Sequence, residues 1–206
     1  GFGLRPNIGI RGAHPHRSKK ITLMEDGVPI APAPYASPAA YYFPFLDKIS
    51  AVEVYKGVTS TVYGPNSIGG AIQLLTKINN PGFRPEITLG SFDFRKYKVQ
   101  AGFEAFGDWS LDLVHVETSG FKELTSETET GFERQMLSLR WDKYFASFDQ
   151  ILNFKWAWSG EQSQETYLGL ADEDFVQSAF QRYRASSLDQ MAVSYTHLTL
   201  PTSLAV

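Results

Sequence analysis

The chain has 206 residues, no cysteine, and 19 basic against 22 acidic side chains, for a net charge of −3. Hydrophobic residues at 43% and charged residues at 20% exclude a disordered tail, and the charge balance excludes a globally basic nucleic-acid binder. Without thiols there is no disulfide framework, cysteine nucleophile or thiolate-bound zinc or iron–sulfur site. No apolar run approaches the ~18 to 20 residues of a spanning helix. Membrane strands remain open, because their signal is too weak for a hydropathy peak; 14% aromatics and 17 glycines favour them.

The chain opens Gly1-Phe2-Gly3-Leu4, which reads as the middle of a longer sequence. Nine of the eleven prolines fall at or before Pro81, so residues 1–80 form one compositional unit. Within it Ile21 to Glu25 reads as a short strand, Asp26-Gly27 as a turn, and Val28-Pro29-Ile30 as a resumed extended run. Ile49 to Tyr55 reads as a strand buried on both faces and stopped by Gly57. Thr59 to Tyr63 reads as one helical turn ended at Gly64-Pro65, and Ala71 to Thr76 as another buried strand after Gly69-Gly70. These elements describe a small α+β unit.

Residues 84–192 carry a different pattern. Tyr97, Val99, Ala101, Phe103 and Ala105 alternate with Lys96, Lys98, Gln100, Gly102 and Glu104, as in a strand with one apolar and one polar face. Phe148 to Trp158 repeats the alternation. Trp109 to Glu117 and Phe132 to Trp141 are weaker versions, interrupted by Val114, Val116 and Met136. Gly107-Asp108 and Asp142 to Ala146 read as short turns, whereas Ser119 to Gly131 and the segment after Ser159 are long, polar and acidic. Short turns at one end, long loops at the other and tryptophans gathered near a strand end point to antiparallel transmembrane barrel strands. A soluble β-sandwich is the alternative, since it also alternates.

Several segments resemble the plug domain of TonB-dependent outer-membrane receptors. Asn7 to Gly12, with Arg11-Gly12, resembles that family's Arg-Gly strand, and Leu23 to Pro29 its Asp-Gly-Val-Pro turn. Val52-Glu53-Val54-Tyr55-Lys56-Gly57, Tyr63-Gly64-Pro65, Ile68-Gly69-Gly70-Ala71-Ile72 and Thr76-Lys77 follow in the family's order. Val28 to Tyr35 and Glu165 to Leu170 are similar to segments of the ferric-citrate branch. The resemblance implies an α+β plug followed by the first strands of a barrel of about 22, whose lumen is too wide for side chains to fill. It implies a location in the cell outer membrane and import of an anionic ferric siderophore driven through TonB. No catalysis, resident cofactor or protein-bound metal is implied. The family's TonB box and the beginning of its plug are not among these residues, so the chain reads as a fragment. Val193 to Thr202 resembles translated adapter sequence, so residues 193–206 are expected to be a non-native tail.

Asp26, Gly27, Gly69 and Gly70 supply turn or close-approach positions; Gly12, Gly57 and Gly64 complete the motif. Arg11 and Glu53 stand in apolar surroundings and need partners if buried. Under the resemblance Tyr35, Tyr41 and Tyr42 in the proline-rich loop and Arg182 and Arg184 in the second long loop are the ligand candidates, as donors and aromatic walls for an anionic chelate. Alternatively the tyrosines pack the plug and the arginines are solvated. His14-Pro15-His16 reads as a polar turn. The alternative is the same architecture importing another nutrient such as cobalamin or an oligosaccharide. A soluble hydrolase would need two converging carboxylates, and the acidic residues here fall mainly in long loops or on the polar strand face.

Overall fold

A computed structural model describes residues 4, 6–30, 42–64, 67–124, 130–147, 149–164, 170–181, 193–199 and 202–204. The chain divides into two compact units, residues 2–77 and 78–206.

The first unit is built on four strands: β1 (Ile21–Glu25), β2 (Val28–Pro29), β3 (Ile49–Tyr55) and β4 (Gly70–Thr76), in the order β2-β1-β4-β3. β1 and β4 run parallel at the centre, with Ile21 opposite Gly70 and Glu25 opposite Leu74. Both are apolar in nearly continuous runs, as strands covered on two faces require. Ile21, Leu23, Ile72 and Leu74 form the core, with Ile8, Ile10, Ile30, Phe43 and Ile49 packed on it.

Two expectations fail in this unit. β3 is not buried on both faces: it is an edge strand, and Val52 and Val54 are exposed. Its branched residues follow strand propensity rather than burial. Arg11-Gly12 does not lie in a strand either. Both residues have positive φ, 56° and 76°, in a turn closed by Ala13 N–H donating to Ile10 O at 3.1 Å. The helical turn is 3-10 and longer than expected, spanning Gly57–Tyr63.

The second unit is an antiparallel sheet. Its strands are β5 (Gly82–Leu89), β6 (Arg95–Glu104), β7 (Asp108–Thr118), β8 (Phe132–Phe145), β9 (Gln150–Ser163), β10 (Val193–Thr199) and β11 (Thr202–Leu204). From β5 to β9 each strand pairs with the next, and β10 and β11 both pair with β9. The sheet does not close on itself. β8 continues through Asp142 to Phe145, so the short turn falls later than expected. Asp142 is kept in the strand by Arg140 on its own strand and Asn153 on β9, both donating to its carboxylate.

The register sorts the side chains into two faces. On one, Val99, Leu113, Leu137 and Trp158 lie in a row, followed by Ala101, Leu111, Leu139 and Trp156, and then by Phe103, Trp109, Trp141 and Phe154. The last row is aromatic throughout: Phe103 stacks on Trp109 at 5.7 Å, and Trp109 meets Trp141 at 6.0 Å. On the other face Gln100, Asp112, Ser138 and Ala157 form a row. Exposure is inverted relative to a soluble sheet. Gln100, Ser110 and Asp112 are 7%, 2% and 4% exposed, whereas Leu113 and Phe103 are 39% and 48% exposed. A water-soluble sandwich would turn its apolar face inward, so that alternative fails.

Candidate functional site

In the first unit the glycine-rich motif is tied together by polar contacts. Asp26, at φ 48°, turns its carboxylate onto β4: Thr76 donates its backbone N–H to Oδ1 at 2.8 Å and its hydroxyl to Oδ2 at 2.6 Å. Gly27 beside it has φ 82°. The Asp-Gly turn is thus bound to a strand fifty residues later. Lys48 donates to Glu25 Oε1 at 2.8 Å in the interior. Sequence reasoning did not find this pair; its one trace is Glu25 at the end of a fully buried strand that is otherwise apolar but for Thr22.

Tyr55 donates its phenol proton to Glu53 Oε2 at 2.6 Å and lies 4.6 Å from the Tyr63 ring. The hydrogen bond to Glu53, with Tyr63 beside it, holds Tyr55 well above the usual tyrosine range. Arg11 is exposed, and its guanidinium lies over Gly57, where an added Cβ would meet Nη1 at 3.2 Å. At Gly70 a Cβ would stand 2.6 Å from Tyr55 O. Only glycine permits that approach between β4 and the end of β3.

In the second unit the polar face is internally bonded. Gln100 donates to Asp112 at 2.7 Å, and Arg134 pairs with Glu161 at 3.0 Å. Val114 and Met136, which interrupt the sequence alternation, stand opposite each other on this face and are both buried. A cavity of about 350 Å³ opens at the loop end of the sheet, lined among others by Asp93, Arg95, Glu117, Glu133, Gln162 and Gln164. Arg95, Glu117, Glu133 and Gln162 form one row on the apolar-face side. Thr118 and Phe132, a cross-strand pair on the polar-face side, also line it, so the cavity takes in both faces at the rim of the sheet. Among the described residues no group of three or more His, Asp or Glu can hold a metal ion.

Residues 1–71 match the family model of the TonB-dependent receptor plug domain. Solved structures similar to the chain include "Copper transporter OprC", at 13% identity and a TM-score of 0.58, covering 74% of this chain and 25% of that one. Another is the siderophore receptor PiuA from Acinetobacter baumannii, at 14% identity and a TM-score of 0.52, covering 74% of this chain and 20% of that one. The likeness at these identities is one of fold. The chain spans about a quarter of the first protein's length and a fifth of the second's. Its fold is a plug domain followed by antiparallel strands whose sheet is not closed.

The ligand candidates divide unevenly. Tyr35, Tyr41, Arg182 and Arg184 lie outside the described residues. Tyr42 is half-buried, next to Phe43 at the plug core. Of the remaining plug-motif positions, Gly64 has φ 99°, and a Cβ at Gly69 would meet Lys20 O at 3.0 Å. No helix among the described residues is long and apolar enough to cross a membrane, which says nothing of strands.

Proposed function

We propose that this chain carries the plug and first wall strands of a Gram-negative outer-membrane importer, and that its cargo is an anionic ferric siderophore of the citrate type. The observation that carries the importer reading is the inverted sheet: buried, mutually bonded polar residues on one face and an exposed apolar band with an aromatic row on the other. Lipid suits the band, and a polar lumen suits the opposite face. The family match of residues 1–71 and the similar structures titled copper transporter and siderophore receptor support the same reading.

No bond is made or broken in this function. The chelate arrives with its iron coordinated, so the protein supplies hydrogen-bond donors and aromatic walls; Tyr35, Tyr41, Tyr42, Arg182 and Arg184 are assigned that role. TonB supplies the pull that rearranges the plug. Polar ties of the Asp26–Thr76 kind suit such a cycle, because each hydrogen bond is exchanged for one with water. Citrate rests on the sequence resemblance alone, and one similar structure is titled a copper transporter, so a different nutrient in the same architecture is the second reading.

The test is growth of strains with and without the gene on ferric citrate as sole iron source, alongside fractionation of the encoded protein. The proposal expects outer-membrane location, induction by iron starvation and a growth defect in the deletion strain. Unchanged growth would remove citrate but leave the importer. A protein absent from the outer membrane would remove both.

A further inference from the structure

The segment that leaves the plug is held on the sheet by more bonds than a linker needs. Lys77 N–H still donates within the plug, to Lys48 O at 3.1 Å. Two residues later Asn79 N–H donates to Ser110 Oγ on β7 at 2.7 Å. The Asn79 side-chain amide donates to Leu111 O and to Asp112 Oδ1, each at 3.2 Å, and lies 3.4 Å from Ala101 O on β6. Asp112 is itself fixed by Gln100, and Asn79 is 5% exposed. Opposite Ser110 the sheet has Gly102. A Cβ there would overlap the Asn79 carbonyl oxygen and reach within 2.5 Å of Asn80 O, so the missing side chain is what lets the backbone lie flat on the strands. Arg84 adds a bond to Asn80 O at 3.2 Å.

We infer that Asn79 is the fixed joint of this protein: the connection into β5 stays locked to the polar face of β6 and β7 during uptake, and plug rearrangement is confined to residues before Ile78. The inference rests on the importer reading above. An amide with both its backbone and side-chain donors committed to buried acceptors opens rarely, because those acceptors would be left unsatisfied. A pinned joint also gives an applied pull a fixed end, so displacement goes into the plug rather than into the wall strands.

Two measurements on the intact receptor decide this. Hydrogen exchange at the Asn79 amide is expected to be slow, and to rise roughly tenfold in Ser110→Ala. Exchange that Ser110→Ala leaves unchanged would overturn the joint, whatever the protein transports. The second measurement is made on a cysteine-free background, to which this chain contributes no cysteine of its own. In an Asn79→Cys, Ser110→Cys variant, a short thiol-reactive crosslinker bridges the segment to β7. Uptake of ferric citrate by the bridged protein is expected within about twofold of the unbridged protein. Import by the unbridged form that is abolished by bridging would overturn the inference while leaving the importer standing. If the unbridged form imports nothing while wild type does, import restored by bridging supports the joint, and where bridging restores nothing the exchange in Ser110→Ala decides it. If wild type also fails, the citrate reading falls, and exchange still decides the joint.

Discussion

Lys48 and Glu25 meet at 2.8 Å inside the plug, with side chains 2% and 9% exposed. Removing the Glu25 carboxylate strands the Lys48 ammonium away from water, which typically costs about 3–5 kcal/mol. Glu25→Leu alone is therefore expected to destabilise β1 and β4 by about that amount, read from the protection of their amides in native-state hydrogen exchange. Adding Lys48→Met to it is expected to recover most of the loss, because an apolar pair removes the desolvation penalty with the attraction. A double variant as unstable as Glu25→Leu alone would mean that Lys48 does more than neutralise Glu25.

Asp26 tests the turn. Asp26→Ala loses two hydrogen bonds to Thr76 and retains a φ of 48°, which alanine tolerates poorly. A loss of roughly 2–3 kcal/mol is expected. Asp26→Asn is expected to lose about half as much, since asparagine accepts the left-handed conformation and keeps one carbonyl acceptor. Equal losses in thermal unfolding of the two variants would contradict this.

Tyr55 gives the alkaline behaviour. Its folded-state pKa lies above the ordinary 10.0, because its hydroxyl donates a hydrogen bond to the Glu53 carboxylate. A raised value stabilises the protonated form. The contribution is therefore fully present below the unfolded pKa and is lost as pH rises through the higher folded one. Stability is expected to be insensitive to this group from neutral pH to about 10 and to fall only above it. The difference between tyrosinate absorbance titrations of wild type and Tyr55→Phe reads the group directly. A midpoint at or below 10.0 would show that the Glu53 bond does not form in solution.

Gly107 sets the tight turn between β6 and β7. Its φ is 136°, and a Cβ would come within 2.6 Å of Asp142 O while overlapping the Trp141 indole. Gly107→Ala is expected to cost on the order of 2 kcal/mol or more, through strain and displacement of the aromatic row. Folding yield into lipid vesicles measures it. Ala105→Gly, two residues before Gly107, serves as the control.

The strands of the sheet were legible where one face is apolar and the other polar. Tyr97, Val99, Ala101 and Phe103 alternate, and β6 forms there with its ends shifted by one residue. β5 has no apolar–polar alternation to mark it and carries Pro85; it is an edge strand in this sheet, where a missing N–H is tolerated. The end of β8 was misjudged because Asp142 looks like a turn residue, and its partners Arg140 and Asn153 are visible only once the register is known. The Asn79 contacts were hidden for the same reason: they join residues more than thirty positions apart through backbone and hydroxyl groups that carry no distinctive pattern. β3 misled in the other direction, since its branched residues signal a strand without saying which face is covered.

The central claim is that the apolar face meets lipid while the polar face does not. Single cysteines placed along β7 at residues 109 to 114, with the protein reconstituted in vesicles and labelled with a fluorophore, read this directly through a quencher attached to lipid chains. Labels at Trp109, Leu111 and Leu113 are expected to be quenched strongly, and labels at Ser110, Asp112 and Val114 weakly, with a period of two. Equal quenching at all six positions, or strong quenching at Ser110, Asp112 and Val114 instead, would contradict the account.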